Sequence, residues 1–171
     1  MKTFTQTFTQ NLTLSLSALF MVIMSTFSLN ATAQDDQRYG KQKVVYHVNY
    51  DDVKRQSSAL GNIQNHINAV GAENMDVRVV MHGNGLSLVL KPDALSNVPK
   101  FKAANANEVM TQKIDKLKLQ GVTFKVCANT VKGRNVNLDR DLYDADSADI
   151  VPSGVAEVAH LQAQGFSYMR P

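Results

Sequence analysis

The chain has 171 residues, 44% of them hydrophobic, with 18 basic and 15 acidic side chains and a formal net charge of +3. That near balance, with no Lys/Arg cluster, gives no electrostatic case for nucleic acid as a partner, because such binding wants a basic face. The single cysteine rules out an internal disulfide framework, so stability has to come from core burial, with oligomerisation as a further source.

Met1 and Lys2 open a Thr/Gln-rich lead, and residues 12–29 form an apolar block that is densest over 19–24. Ala31-Thr32-Ala33 follows, with small residues at the −3 and −1 positions of a cut after Ala33, which is the pattern of a secretory signal peptide. Thr13, Ser15, Ser17, Ser25 and Ser28 break the block well short of about 20 clean apolar residues, so no stable membrane anchor is expected. No cysteine at the cut invites lipid attachment. The expectation is a periplasmic or otherwise secreted protein. Removing 33 residues leaves 138, enough for one domain with its own core, carrying 17 basic against 15 acidic residues, or +2.

Residues 34–42 read as a polar lead-in to a domain over 43–171. The run 43–50 (KVVYHVNY) is a strand too apolar for an exposed edge. Leu60, Ile63, Ile67 and Val70 then recur on one face of a helix that Gly71 closes. A second strand covers 76–82 and breaks at Gly83-Asn84-Gly85, with residues 86–90 as a short apolar continuation and a loop from Lys91 to about Ala104. Asn105 and Glu108 fit an N-cap and its capping-box partner. Val109, Met110, Ile114 and Leu117 give the helix they open an apolar side, and Gly121 ends it. A third strand over 122–127 ends on Cys127 and passes into a polar turn. Residues 137–143 suggest a short helix in an acidic loop, and 149–151 a brief fourth strand. Ser153 caps a further helix with Val155, Val158 and Leu161 inward and Gly165 after it, and 166–169 is the last strand.

Strand and helix alternate throughout, with glycine after three helices. This is the signature of βαβ units: one α/β domain built on a mainly parallel sheet of about five strands with helices on both faces. In such sheets ligands bind outside the carboxyl ends of the strands. Three strand ends carry notable residues there: His82 with Gly83, Asn84 and Gly85; Cys127 with Asn129; and Ser153 with Gly154. A Gly-Asn-Gly turn can present N–H groups to a ligand, and a helix opening at Ser153-Gly154 favours an anion or a thiolate. Cys127 can equally be a small buried hydrophobe at a strand end. A reactive thiol would instead need partial exposure and a pKa lowered by a helix N-terminus or a cation, and Lys125 and Lys132 have no assignable direction as that cation.

Of the four histidines, His66 and His160 lie within helices as surface or edge residues. His47, inside a strand, reads as a satisfied core histidine. His82, at a strand end beside glycines, is the one with a catalytic placement, against a structural alternative. No H-x-x-H, H-E-x-x-H or C-x-x-C pattern exists, and the run Asp139, Asp141, Asp144, Asp146 lacks the glycine and glutamate of a calcium loop, so it reads as solvated and no metal or other cofactor is expected. G-x-S-x-G, Walker and dinucleotide fingerprints are absent as well.

The segments VMHGNGLSLVL, GVTFKVCANTVKG and DIVPSGVAEVAHLQAQGFSYMRP together resemble the DsrE/DsrF-like proteins, closest to small stand-alone members with a signal peptide. The resemblance covers 43–171. It implies a Rossmann-like sheet, a homotrimer or homohexamer, and a cysteine at a strand end that accepts sulfane sulfur as a persulfide and hands it to a partner. Cys127 is the residue that matches that role. Gly83, Asn84, Gly85, Ser153 and Gly154 would stabilise its anion, with His82 moving a proton. Lacking a resolving cysteine, the protein would be a carrier between a sulfur donor and an acceptor more than a self-contained enzyme. Two alternatives stay open: a non-catalytic module that binds a small ligand on the same rim, and a structural oligomeric module whose cysteine is buried.

Overall fold

The computed structural model describes residues 38–171, and the chain from Lys41 to Pro171 forms one compact unit. The expected signal peptide, 1–33, and its cut lie outside the described residues. Strand β1 (Gln42–Val48) leads through helix α1 (Val53–Val70) to β2 (Met75–Met81). Two 3₁₀ segments, Gly83–Leu88 and Pro92–Asn97, precede α2 (Glu108–Leu119) and β3 (Thr123–Cys127). Helices α3 (Ala128–Arg134) and α4 (Leu138–Asp141) lead to β4 (Ile150–Val151), and α5 (Gly154–Ala163) leads to β5 (Ser167–Met169). The five strands are all parallel in the order β4-β3-β2-β1-β5. This is the α/β architecture, with its parallel sheet of five strands, that the alternating pattern predicts.

The order explains the layers. From β1 to β4 the chain steps one strand at a time in one direction, and then crosses the whole sheet to place β5 beside β1. Because parallel crossovers are right-handed, the reversal puts α5 on the face opposite α1 and α2. Strand alternation sorts the side chains accordingly. Val44, Tyr46, Val48, Val77, Val79, Met81, Phe124 and Val126 join the large core with Leu60, Ile63, Met110, Ile114 and Leu117, whereas Val45 and Val80 pack with Val158, Leu161 and Phe166 from the α5 side.

Several local expectations fail for physical reasons. Residues 86–90 do not continue β2. A Cβ on Gly85 would overlap the Val48 carbonyl, so the chain turns tightly beneath the end of β1. Ser87 is then drawn into a buried polar knot: the Gln56 amide donates to Ser87 Oγ (2.8 Å) and to the Tyr50 carbonyl (2.6 Å). Asn105 belongs to the same knot and is not the cap of α2; its amide donates to Gln56 Oε1 (2.8 Å) and the Asp51 carbonyl (2.9 Å). The cap is Asn107, whose Oδ1 accepts the Met110 N–H at 3.1 Å. Val109 and Val155, expected inward, are each 65% exposed. Asp141, expected to be solvated, is fully buried, accepting from the Asn137 N–H (2.8 Å) and from Arg140 Nε (2.7 Å).

Candidate functional site

Cys127 ends β3, and the polar turn expected after it is the helix α3, which ends at Asn135 in the left-handed region (φ 56°). The register pairs Met81 with Val126 and Cys127 with Val151, so His82, just beyond β2, stands beside Cys127. His82 keeps extended backbone (φ −147°, ψ 165°), and alternation carries it to the face of Val80. By the same parity His47 shares the face of Val45, and Tyr168 is paired with Val45 in register. Cys127, His82, His47 and Tyr168 therefore form a row across β3, β2, β1 and β5 on the α5 side of the carboxyl rim.

The contacts within this row are close. His47 Nε2 and His82 Nε2 are 2.6 Å apart with their rings stacked at 4.7 Å, and His47 Nδ1 lies 2.8 Å from the Tyr168 hydroxyl. One proton serves the Nε2–Nε2 bond, so at least one of the two imidazoles presents an unprotonated nitrogen to it. Burial, then the His82 charge and the Arg170 charge, lowers the His47 pKa to about 4, and burial lowers that of His82. Both rings are neutral at physiological pH. Gly154 fills the space between His82 and Cys127: a Cβ there would lie 2.8 Å from His82 Cβ and 3.3 Å from Cys127 Cβ.

The Cys127 residue is only 4% exposed, at the floor of an open cleft of about 450 Å³ that His82, Gly83, Asn129, Thr130 and Ser153 also line. Burial raises the thiol pKa, but the Gly154 N–H, the Thr130 hydroxyl, and the Thr130 and Asn129 N–H groups face the sulfur and bring it below its ordinary value. Thr130 Oγ1 accepts the Gly83 N–H at 2.8 Å, which leaves its own proton for the sulfur.

The residues singled out from sequence thus separate. Cys127, His82, Gly83, Asn129 and Ser153 line one cleft, and Gly154 packs against the His82 and Cys127 side chains. Ser153 Oγ caps α5 by accepting the Ala156 N–H (3.4 Å). Gly85 is buried, and Asn84 points its side-chain oxygen at Arg134 Nη2 (2.7 Å). Lys125 is committed to Asp149 (3.8 Å) and the Ala148 carbonyl (2.9 Å). His47 is half-buried at the rim and bonded to two partners there, in place of the core position expected for it. Sequence reasoning placed Thr130 on the rim in the Cys127-Ala128-Asn129-Thr130 segment but gave it no role; its i+3 spacing from Cys127 becomes informative once α3 is recognised. It missed Tyr168, Lys100 and Arg134, whose placement is set by tertiary structure. Among the described residues, no group of three or more His, Cys, Asp or Glu side chains is disposed to hold a metal ion, and no helix is long and apolar enough to cross a membrane.

A parallel α/β sheet with a donor-surrounded thiol on its carboxyl rim defines a class of cysteine-bearing α/β proteins. The sequence profile of the DsrE/DsrF-like family matches residues 42–171, and the chain belongs to that family. At the level of the family, membership points to sulfur relay. Among solved structures, a protein of unknown function, MTH1491, from Methanobacterium thermoautotrophicum is 26% identical, with a TM-score of 0.59 over 77% of this chain and 100% of that one. The ychN protein from E. coli shares the fold at 15% identity and a TM-score of 0.54, over 76% and 99% of the two chains. No curated protein matches the chain significantly.

Proposed function

We propose that this chain is an exported, homo-oligomeric (trimeric or hexameric) sulfur carrier in which Cys127 accepts sulfane sulfur from a donor, holds it as a persulfide and passes it to an acceptor thiol. The observation that carries this reading is the set of donors around Sγ, from Gly154, Thr130 and Asn129, which favour the thiolate over the thiol. The same donors suit the persulfide anion that follows. His82, a neutral imidazole in the same cleft, takes the thiol proton, and His47 and Tyr168 hold its ring in place. In the loading step the thiolate attacks the donor's outer sulfur, a Sγ–S bond forms, and the donor's S–S bond breaks with its electron pair leaving on the donor fragment. An acceptor thiolate then attacks the terminal sulfur and releases Cys127 as thiolate. Export follows from the leader over 1–33; a mature N-terminus at Gln34 supports it, and retention of Met1 contradicts it.

The experiment follows sulfur from polysulfide-loaded protein, freed of excess donor, to a small acceptor thiol. Transfer that is stoichiometric with protein and abolished in Cys127→Ala supports the carrier. Transfer unchanged in Cys127→Ala refutes it. The low exposure of Cys127 favours one rival, a structural cysteine, which predicts a native thiol that reacts with reagents only as fast as the protein unfolds.

A further inference from the structure

Lys100 and Arg134 also line the Cys127 cleft, and neither has a part in the carrier chemistry. Arg134 is held in one orientation: Nη2 donates to Asn84 Oδ1 (2.7 Å), Nη1 donates to the Lys100 carbonyl (3.3 Å), and the guanidinium carbon lies 4.3 Å from the centroid of the buried Phe101 ring. Lys100 Nζ donates to the Gly133 carbonyl at 2.6 Å. All of these acceptors are neutral. The ion pairs among the described residues are Arg78–Asp76, Lys118–Asp144, Lys125–Asp149 and Arg140–Asp141, and none involves the cleft. Among the described residues, no Asp or Glu lines it either. These two cations have no carboxylate partner among the described residues, and one of them, stacked and preoriented, shares the cleft with the recessed Cys127 thiol.

Resting on the carrier reading, we infer that Lys100 and Arg134 form an anion subsite that selects small sulfane donors with an oxoanionic leaving group, of the thiosulfate type. A thiolate and a dianion repel one another, and two cations in the same cleft offset part of that repulsion. The step balances without an added oxidant or reductant. Cys127 Sγ⁻ attacks the outer sulfur of thiosulfate, the Sγ–S bond forms, the S–S bond breaks, and its electron pair leaves with sulfite. The charge that arrives with thiosulfate departs with sulfite, held throughout against Lys100 and Arg134. A thiol at the floor of a cleft of about 450 Å³ admits a slim oxoanion of this kind.

The test compares the intact protein with Lys100→Gln and with the Lys100→Gln/Arg134→Gln double variant. Persulfide formation is read by mass with thiosulfate and with polysulfide, and general thiol reactivity with an uncharged pyridyl disulfide. The double variant should load from thiosulfate about tenfold more slowly or worse, with the gap closing at high salt and the pyridyl disulfide rate held within about twofold. Lys100→Gln loses only a surface contact to a carbonyl, stays folded, and should show part of the same loss; Lys100→Arg should restore it. Equal loading of all variants by thiosulfate, or equal slowing with the uncharged reagent, overturns the subsite and leaves the carrier intact. Loading of the wild type by polysulfide but not by thiosulfate does the same. Loading by neither donor sinks both the subsite and the carrier.

Discussion

After the Gly154 N–H, Thr130 does most to lower the Cys127 pKa, through one hydroxyl with two duties: it accepts from the Gly83 N–H and directs its proton at Cys127. Thr130→Val keeps the shape and removes both. The Cys127 pKa should rise and alkylation at neutral pH should slow severalfold. Stability should fall by about 1–3 kcal/mol because the Gly83 N–H loses its acceptor. Thr130→Ser should restore both. The pH profile of alkylation reads the first effect, with the wild-type midpoint expected below that of a free thiol. An unchanged profile in Thr130→Val would remove the hydroxyl from the account. His82 was legible in the sequence from its place beside glycines at a strand end. Its partner His47 was not, because a histidine one residue before the end of an apolar strand looks the same whether it faces a core or a rim. Only the strand order, which puts β1 beside β2, decides between them.

At the scale of elements, hydrophobic periodicity located every strand and the three longer helices, because burial on one stripe or one face leaves a repeat that survives in sequence. Ends and irregular segments were less legible. Asn105 and Asn107 both precede Glu108 at plausible capping distances, and the choice between them depends on a polar knot with Gln56 and Ser87 that no local pattern shows. The two asparagines should therefore respond differently. Asn107→Ala loses a cap and should cost about 1 kcal/mol. Asn105→Ala leaves the buried Gln56 Oε1 and the Asp51 carbonyl short of a donor and should cost more, about 2–4 kcal/mol. Denaturant unfolding of the two variants measures the difference, and the reverse order would contradict the assignment. Helix α3 escaped notice because Gly133 near its end and the short Ala-Asn-Thr start read as a turn; its cap geometry appears only with Cys127 and Asn135 in place.

At the scale of the whole molecule, the sheet brings four strands to one rim and ties the site to folding through its histidines. Folded His47 stays neutral down to about pH 4, whereas an unfolded histidine takes up a proton near 6.5. Between those values the unfolded state binds more protons, so stability falls as pH drops through that window and is fully present above it. His82 shifts the same way. In His47→Gln the acid-side slope of unfolding free energy between about pH 6.5 and about pH 4 should flatten, and an identical slope would show that the pair does not titrate as its burial and neighbours require. The carboxyl-rim location of the candidate cleft was legible from the α/β pattern alone. The cationic wall of Lys100 and Arg134 was not, since it joins a loop after β2 to the end of α3.

The most direct measurement is the mass of the Cys127 peptide after the native protein meets polysulfide and unreacted thiols are blocked. A gain of about 32 Da, one sulfur atom, on Cys127 and its removal by a reductant is the result this account requires. A Cys127 that stays at its unmodified mass, while an uncharged thiol reagent labels it readily in the folded protein, would contradict it.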